Sequence, residues 1–321
     1  MNKLYQDLYK KIYKIRSVEK KISEMYKHQE MRCPVHLSIG QEAVAAGVCK
    51  NLNNDDEIIS THRSHAHYLG KGGSLKNMIA ELYGKDKGCA RGLGGSMHLQ
   101  DLSKGIFGSV PIVGSTIPIG VGMAFHSKFS LKKNNVTTIF FGEGATEEGV
   151  FHESINFASL HNLPILFVCE NNLYSVYTNL KQRQSVDRNI KKIVESNGIE
   201  SYSSSGNDVV GVYSLAKKCL KKIRKRNKPI FLEFKTYRWL EHCGPNWDDN
   251  LSYRPKGELK MWIKKCPLQK LKSRIFSNSK NNYRLNKIEK KINTEIQNAF
   301  DFAKKAKFPK KAILNQFIYS N

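Results

Sequence analysis

The 321-residue chain contains no apolar run long enough to cross a membrane. Its longest apolar stretches, residues 136–142 (VTTIFFG) and 164–169 (PILFVC), have the length of a strand, whereas a helical span needs about 20 residues. The N-terminal residues are charged and amphipathic and show no apolar core of a secretory signal. We therefore expect a cytoplasmic protein without membrane association.

Paired cysteine motifs are also missing. The seven cysteines show no Cys-x-x-Cys spacing and are odd in number. This pattern favours neither a disulfide framework nor a zinc site.

Acidic residues are scarce. The chain contains 28 aspartates and glutamates and 53 lysines and arginines, which gives a net charge of +25. The excess is peripheral: residues 256–321 carry 17 basic and 4 acidic residues (+13), whereas residues 88–180 carry 5 and 6 (−1). Lysines outnumber arginines 41 to 12, without the interleaved arginines and aromatics typical of nucleic-acid readers. Nucleic acid is thus not the expected partner, and a polyanion surface on the lysine-rich tail is the minor alternative.

From residue 136 onward, buried apolar runs alternate with helical patterns, which is typical of a parallel sheet with helical crossovers. The predicted elements are strands at 136–142, 164–170 and 229–238, and helices at 147–161 and about 211–226. We predict a three-layer α/β fold with N- and C-terminal helical extensions.

The flanking segments are predicted from helical periodicity. Residues 2–29 repeat apolar side chains at helical spacing and form one or two amphipathic helices, and residues 201–207 (SYSSSGN) are predicted as a loop tip. We divide the chain into an α/β domain at 1–275, which includes the N-terminal helices, and a lysine-rich helical tail at 276–321 packed on that domain.

Two motifs follow the central predicted strands directly: GEGATEEG (142–149) and ENNLYS (170–175). Both therefore lie at carboxyl ends of strands, where open α/β sheets bind ligands. Gly142 and Gly144 allow close approach of a ligand, and the following helix directs free N–H groups at an anion. Glu143 and Asn172 supply two oxygen ligands suited to Mg²⁺, which takes its remaining ligands from phosphate and water. The pair predicts a metal-bound diphosphate.

At these motifs the sequence resembles the alpha subunit of the thiamine-diphosphate-dependent 2-oxo acid dehydrogenases of the pyruvate, branched-chain and acetoin types. That family has a GDG turn followed by NN, and here GEG and NN are 26 residues apart. The other similar segments occur in family order over about residues 5–275: HLSIGQEA (36–43), THRSH (61–65), RGLGGSMHL (91–99), IVG (112–114), FHESINFASLHNLPILFVCENN (151–172) and EFKTYR (233–238).

The resemblance implies that residues 1–275 form a thiamine-diphosphate-binding domain and assigns roles within it. The metal ligands correspond to Glu143, the Asn172 side chain and the Tyr174 backbone carbonyl. The cofactor positions correspond to Arg63, His62, Val113, Gly114, Gly142, Gly144, Ala145 and Asn172. The catalytic histidines correspond to His36 and His242, and His65 matches a histidine of the substrate channel region but is equally compatible with a structural role.

The chain departs from the family pattern at four places. Glu143 replaces the usual aspartate, His62 stands where pyruvate-type members often have tyrosine, Pro111 replaces a small residue, and residues 240–247 (LEHCGPNW) replace a two-histidine loop. The first difference affects metal geometry, since Mg²⁺ demands nearly ideal octahedral coordination. The others affect substrate identity.

The resemblance implies decarboxylation of a 2-oxo acid, a pyruvate-like one being expected, and transfer of the acyl group to a lipoyl acyltransferase. It also implies a beta subunit that completes the site in an α₂β₂ assembly. Two alternatives stay open: a decarboxylase or carboligase of the same fold in small-molecule or surface-sugar biosynthesis, and a non-catalytic basic protein that binds polyanions.

Overall fold

A six-stranded parallel sheet forms the centre of the protein in the computed structural model, which describes residues 2–31, 33–132, 134–275 and 279–316. The sheet has the order β2-β1-β3-β4-β8-β7. Its strands are β1 (Glu57–Thr61), β2 (Ile106–Val110), β3 (Thr137–Gly142), β4 (Ile165–Asn171), β7 (Glu200–Ser205) and β8 (Ile230–Lys235). A short antiparallel ribbon consists of β5 (Tyr174–Ser175) and β6 (Thr178–Asn179).

Helices connect the strands and cover both faces of the sheet. They are α1 (Lys3–Tyr26), α2 (Glu42–Cys49), α3 (His65–Lys71), α4 (Leu75–Leu82), α5 (Thr116–Phe129), α6 (Gly149–Leu160), α7 (Leu180–Arg183), α8 (Ile190–Glu195), α9 (Val209–Arg226), α10 (Glu258–Lys264), α11 (Pro267–Ile275) and α12 (Ser279–Lys305). Short 3-10 turns lie at Gly95–Met97, Leu102–Lys104, Glu143–Glu147 and Lys311–Asn315. In the described part of the chain, no helix combines the length and the apolar character of a membrane span.

Side chains of the central strands alternate between two apolar cores, because successive residues of a strand point to opposite faces. Phe140 and Val168 join the core under α1, α2 and α9, whereas Phe141 and Phe167 join the core under α5 and α6. Both faces are therefore buried, which explains why β3 and β4 read as continuous apolar runs. The predicted three-layer α/β fold is confirmed.

The N-terminal segment forms the single helix α1, whose apolar face is buried against the body. The C-terminal helix α12 packs against α1 and α4. Its contacts with α1 include a hydrogen bond from Tyr9 Oη to Glu289 and an ion pair between Lys14 and Glu295 at 2.7 Å. The domain boundary after residue 275 stays a prediction, and residues 276–278 and 317–321 of the predicted tail lie outside the described residues.

Two details of the predicted secondary structure are wrong. Residues 201–207 are not a loop tip, because Glu200–Ser205 forms the edge strand β7, paired in parallel with β8. Serine is a poor indicator of a strand, and here backbone pairing decides. The helix expected from residue 147 begins at Gly149, because Glu143–Glu147 forms a 3-10 turn.

A buried ion pair fastens α1 to α2. Arg16 Nη2 lies 2.8 Å from Glu42 Oε2, and Arg16 Nε bonds the other carboxylate oxygen. The guanidinium also stacks 4.3 Å from the ring centre of Trp239, and Glu42 accepts a further bond from the Gly40 N–H at 3.1 Å. This cluster fixes the segment from His36 to α2 against the chain that leads to His242.

Arg16→Met is expected to lower the free energy of unfolding by about 3–5 kcal/mol, because it leaves the Glu42 carboxylate buried without its counter-charge. Urea denaturation of the full chain measures the change. The control is Lys21→Met on the same helix, which removes only the more exposed pair with Glu24 and should change stability by about 0.5 kcal/mol or less. Equal effects of both substitutions would contradict the anchoring role of Arg16.

Candidate active site

A cleft opens at the carboxyl edge of the sheet, where the chain leaves β1 and β3 in opposite directions. This switch point is where open α/β sheets bind ligands. The cleft contains twelve of the residues predicted from the sequence: His36, His62, Arg63, Val113, Gly114, Gly142, Glu143, Gly144, Ala145, Asn172, Tyr174 and His242.

His65 is the predicted site residue that the structure does not place in the cleft. It begins α3 and is fully buried, with Nε2 2.7 Å from Ser96 Oγ and Nδ1 3.6 Å from Glu19. Glu19 in turn accepts the Ser38 N–H with both oxygens, at 2.8 and 2.9 Å. These contacts support the structural alternative, in which His65 positions the segment that carries His36.

The GEG turn lines the cleft, and its two glycines, Gly142 and Gly144, present backbone without side chains. A Cβ atom on Gly142 would meet no other atom within 4 Å, and one on Gly144 would approach Ser175 Oγ to 3.2 Å. Gly114, which also lines the cleft, has a φ of 84°, which favours glycine. The turn is held by the Thr146 hydroxyl, which donates to the Glu143 carbonyl at 2.7 Å. The cleft therefore offers glycine backbone that no side chain covers, beside open space.

Glu143 is a buried carboxylate at the floor of the cleft. It accepts the backbone N–H of Asn172 at 3.3 Å and the guanidinium of Arg183 at 2.7 Å. Burial raises the pKa of Glu143 to about 7, although the Arg183 charge acts in the opposite direction. A carboxylate in this position requires a cation beside it.

Asn172 and Tyr174 lie directly beside this carboxylate. The Asn172 Oδ1 accepts the Tyr174 N–H at 3.1 Å, and the Tyr174 hydroxyl is directed away, donating to Glu258 at 2.6 Å. Leu173 and Val176 have positive φ values of 74° and 53°. For a β-branched valine this conformation is a genuine outlier, of the kind that clusters at functional sites.

Three histidines from distant segments meet in the cleft. Ring centres lie 4.6 Å apart for His36 and His62, 5.1 Å for His36 and His242, and 5.3 Å for His62 and His242. Burial and the neighbouring charge of Arg63 lower the pKa of His36 to about 2 and those of His62 and His242 to about 3. At neutral pH each ring is therefore uncharged, with one donor and one acceptor nitrogen.

The histidines do not form a favourable metal site, although one nitrogen of each ring lies within 4.8 Å of the others. Arg63 Nη2 is 3.4 Å from His242 Nδ1. A divalent cation about 5 Å from that guanidinium would be repelled by roughly 7 kcal/mol at an effective dielectric constant of about 20. The cluster is suited to a neutral or anionic ligand.

Arg63 provides the fixed positive charge of the cleft. It donates to the Leu37 carbonyl at 2.7 Å and to the His242 carbonyl at 3.1 Å, so it also joins the two histidine segments. Burial, followed by repulsion from Arg238, lowers its pKa to about 10, which leaves it charged at neutral pH. Its remaining N–H groups are available to an anion.

The cleft fits a metal-bound diphosphate on its own chemistry. It combines a buried carboxylate and amide oxygens, which Mg²⁺ prefers, with glycine backbone and an arginine for phosphate oxygens. Two buried polar atoms that line it, His36 Nδ1 and Gln41 Oε1, have no hydrogen-bond partner among the residues described. Unsatisfied buried groups of this kind mark a place where a ligand or water completes the hydrogen bonding.

Sequence reasoning missed two charged residues of this region. Arg183 lies in an irregular tract that carries no motif, so nothing in the sequence pointed to it. Glu170 lines the cleft at the end of β4 and lies 3.1 Å from His67 Nε2, while His67 Nδ1 lies 2.7 Å from Ser60 Oγ. Glu170 could have been found from the sequence, because it lies at the end of a predicted strand, directly before the two asparagines.

Comparison with known proteins identifies the family of the chain. A family model described as dehydrogenase E1 component matches residues 10–312. The chain is 35% identical to the alpha subunit of acetoin:2,6-dichlorophenolindophenol oxidoreductase of Bacillus subtilis, over 97% of this chain and 92% of that protein. It is 33% identical to the pyruvate dehydrogenase E1 component subunit alpha of Rickettsia bellii, over 98% and 95% of the two chains. The corresponding Porphyra purpurea subunit is 34% identical, over 98% and 92%.

The family match and these relatives extend over nearly the whole chain, and the GEG, NN, arginine and histidine positions that carried the resemblance meet in one cleft. The chain belongs to the dehydrogenase E1 component family, as an alpha subunit of the thiamine-diphosphate-dependent 2-oxo acid dehydrogenases.

Proposed function

We propose that this chain binds the diphosphate of thiamine diphosphate through Mg²⁺ and, with a beta subunit, decarboxylates a pyruvate-like 2-oxo acid whose acyl group passes to a lipoyl acyltransferase. The proposal rests on one observation: Glu143, Asn172 and Arg63 line the same cleft as the histidine cluster. The cytoplasmic location stays a prediction.

The two ends of the cleft have different tasks. Glu143 and Asn172, with the Tyr174 carbonyl, would hold the metal, while Gly144, Ala145 and Arg63 would hold phosphate oxygens. Thiamine diphosphate supplies the decarboxylation chemistry when bound, and the protein supplies position and electrostatics. These residues therefore act through binding and orientation.

The histidines act on the substrate end. A neutral imidazole donates a hydrogen bond to a carboxylate, and the negative charge of a bound carboxylate raises the imidazole pKa towards the range in which it can move a proton. His36 and His242 lie beside Arg63, whose charge is assigned to the diphosphate, so an incoming carboxylate meets the N–H donors of the two rings. His62 completes the cluster in place of the tyrosine of pyruvate-type members.

The beta subunit is expected to cover an apolar region next to the cleft, which we call the β2 apolar edge. It comprises four side chains between β2 and α5 that are 43–67% exposed: Phe107, Ile112, Val113 and Ile119. Exposed apolar residues grouped beside a site are typical of a protein interface. An α₂β₂ assembly accounts for their exposure.

A second candidate substrate is an acetoin-like hydroxyketone, since one of the similar proteins acts on acetoin by its name. Such a substrate lacks a carboxylate, so its carbonyl and hydroxyl oxygens would accept hydrogen bonds from the neutral donors of the histidine cluster. The substrate test below includes both classes.

The co-purified alpha and beta subunits are expected to turn over a 2-oxo acid with an artificial electron acceptor, in a reaction that requires thiamine diphosphate and a divalent metal. Glu143 can reach the diphosphate only through a cation. Pyruvate, branched 2-oxo acids and acetoin are compared as substrates, and excess EDTA should abolish cofactor binding in calorimetry. Equal cofactor affinity with EDTA would contradict the metal site, and turnover of acetoin alone would favour the second candidate.

Arg63→Ala should raise the dissociation constant of thiamine diphosphate about tenfold or more, because a charge-assisted hydrogen bond contributes roughly 1.5–3 kcal/mol. Calorimetry on the complex at saturating Mg²⁺ measures the constant. Turnover at saturating cofactor should also fall, since Arg63 holds the His242 carbonyl. Collapsed turnover with an unchanged constant would place Arg63 in the chemistry and not in cofactor binding.

His36→Ala and His242→Ala should each lower turnover by about 10²–10⁴-fold, the loss typical of a missing general acid or base. Cofactor affinity should stay within about fivefold of wild type, since neither residue is placed at the phosphates. The exposed His152 on α6 provides the control, and His152→Ala should keep full turnover. Full activity of His242→Ala would show that the LEHCGPNW loop has lost the catalytic role.

A further inference from the structure

Arg183 occupies an unusual position for a residue outside every recognised motif. It ends the short helix α7 and reaches the GEG turn, where Nη2 lies 2.7 Å from Glu143 Oε1 and Nη1 bonds Glu147. Its side chain is only 12% exposed, and that of Glu143 is 2% exposed. The guanidinium is therefore the cation that neutralises the buried carboxylate.

This contact involves the carboxylate proposed as a metal ligand. Arg183 Nη1 would also lie 3.6 Å from a Cβ atom on Gly144, which places the guanidinium beside the glycine proposed to face the phosphates. A divalent metal and a guanidinium at one carboxylate repel each other. The second oxygen of this carboxylate, Oε2, already accepts the Asn172 N–H at 3.3 Å. A metal that binds Glu143 therefore favours release of Arg183.

We propose, on the basis of the function proposed above, that Arg183 is a displaceable counter-cation. It neutralises Glu143 until a divalent metal takes its place, and the released guanidinium then binds oxygens of the diphosphate at the same turn. The exchange keeps the buried carboxylate paired in both states, since leaving it unpaired is costly.

The surrounding contacts allow Arg183 to move without loss of the whole segment. Arg188, five residues later, donates independently to the Thr146 carbonyl and hydroxyl on the same turn. Gln184 bonds Glu147 at 2.6 Å. These anchors hold residues 174–188 against the GEG turn while the guanidinium exchanges its partner over a short distance.

The test measures metal binding and cofactor binding separately. It uses the co-purified complex of both subunits after metal and thiamine diphosphate have been removed. Mn²⁺ alone is titrated by electron paramagnetic resonance, and thiamine diphosphate is then titrated at saturating Mn²⁺. Arg183→Gln should bind Mn²⁺ about tenfold more tightly than wild type, because a competing cation is gone. It should bind thiamine diphosphate about tenfold more weakly, because a phosphate contact is lost. If Arg183 had only a structural role, the substitution would weaken the binding of both Mn²⁺ and thiamine diphosphate.

Arg188→Gln is the matched control, since it removes the same charge from the same turn without touching a carboxylate. Its Mn²⁺ affinity should stay within about threefold of wild type. Unchanged or weaker Mn²⁺ binding in Arg183→Gln, or an equal gain in Arg188→Gln, would overturn the proposal.

A second measurement uses the wild-type complex and does not depend on the folding of any variant. Mn²⁺ alone should speed modification of Arg183 by the arginine reagent phenylglyoxal, followed by peptide mass spectrometry, because its guanidinium leaves Glu143, and added thiamine diphosphate should reverse the effect. Slower or unchanged modification of Arg183 with Mn²⁺ would also overturn the exchange. Metal-independent cofactor binding by wild type would instead count against the proposed function itself.

Discussion

The parallel pairing of β1, β3 and β4 is the constraint on which the active site depends. Ile59 lies opposite Ile139, and Gly142 lies opposite Glu170, so the three strands end at the same level. This register brings the Glu143 carboxylate to the Asn172 backbone although 29 residues separate them in the chain. A shift of one residue would turn alternate side chains to the opposite face and separate the two.

Charge is distributed unequally along the cleft, so different parts of the cleft suit different ligands. The floor contains the buried Glu143 carboxylate, which is the proposed metal ligand, whereas burial and then the charge of Arg63 keep the three histidines uncharged. Under the proposed function, Glu143 and Arg63 bind the metal-bound diphosphate, and the neutral histidines have the separate task of binding the substrate. The same separation explains why the histidine cluster, whose geometry alone would suit a metal, is better suited to an organic ligand.

The central part of the fold could be predicted from the sequence because β3 and β4 are buried on both faces and consist of apolar residues. Their position before GEG and NN was enough to bring Glu143 and Asn172 together. The edge strand β7 could not be predicted, since its serines carry no apolar signal and its pairing with β8 is a long-range property. His36, Arg63 and His242 were identified only through the family resemblance, because no spacing relates three such distant segments. Arg183 was not identified at all.

The β2 apolar edge has a consequence for how the protein is produced in a cell. A chain folded before its partner is available presents Phe107 and Ile112 to water on and next to the edge strand β2. Such surfaces favour self-association and recognition by chaperones and proteases. If the beta subunit covers this edge, as proposed, the less abundant subunit limits the yield of active enzyme, and balanced synthesis of the two chains helps to keep this subunit folded.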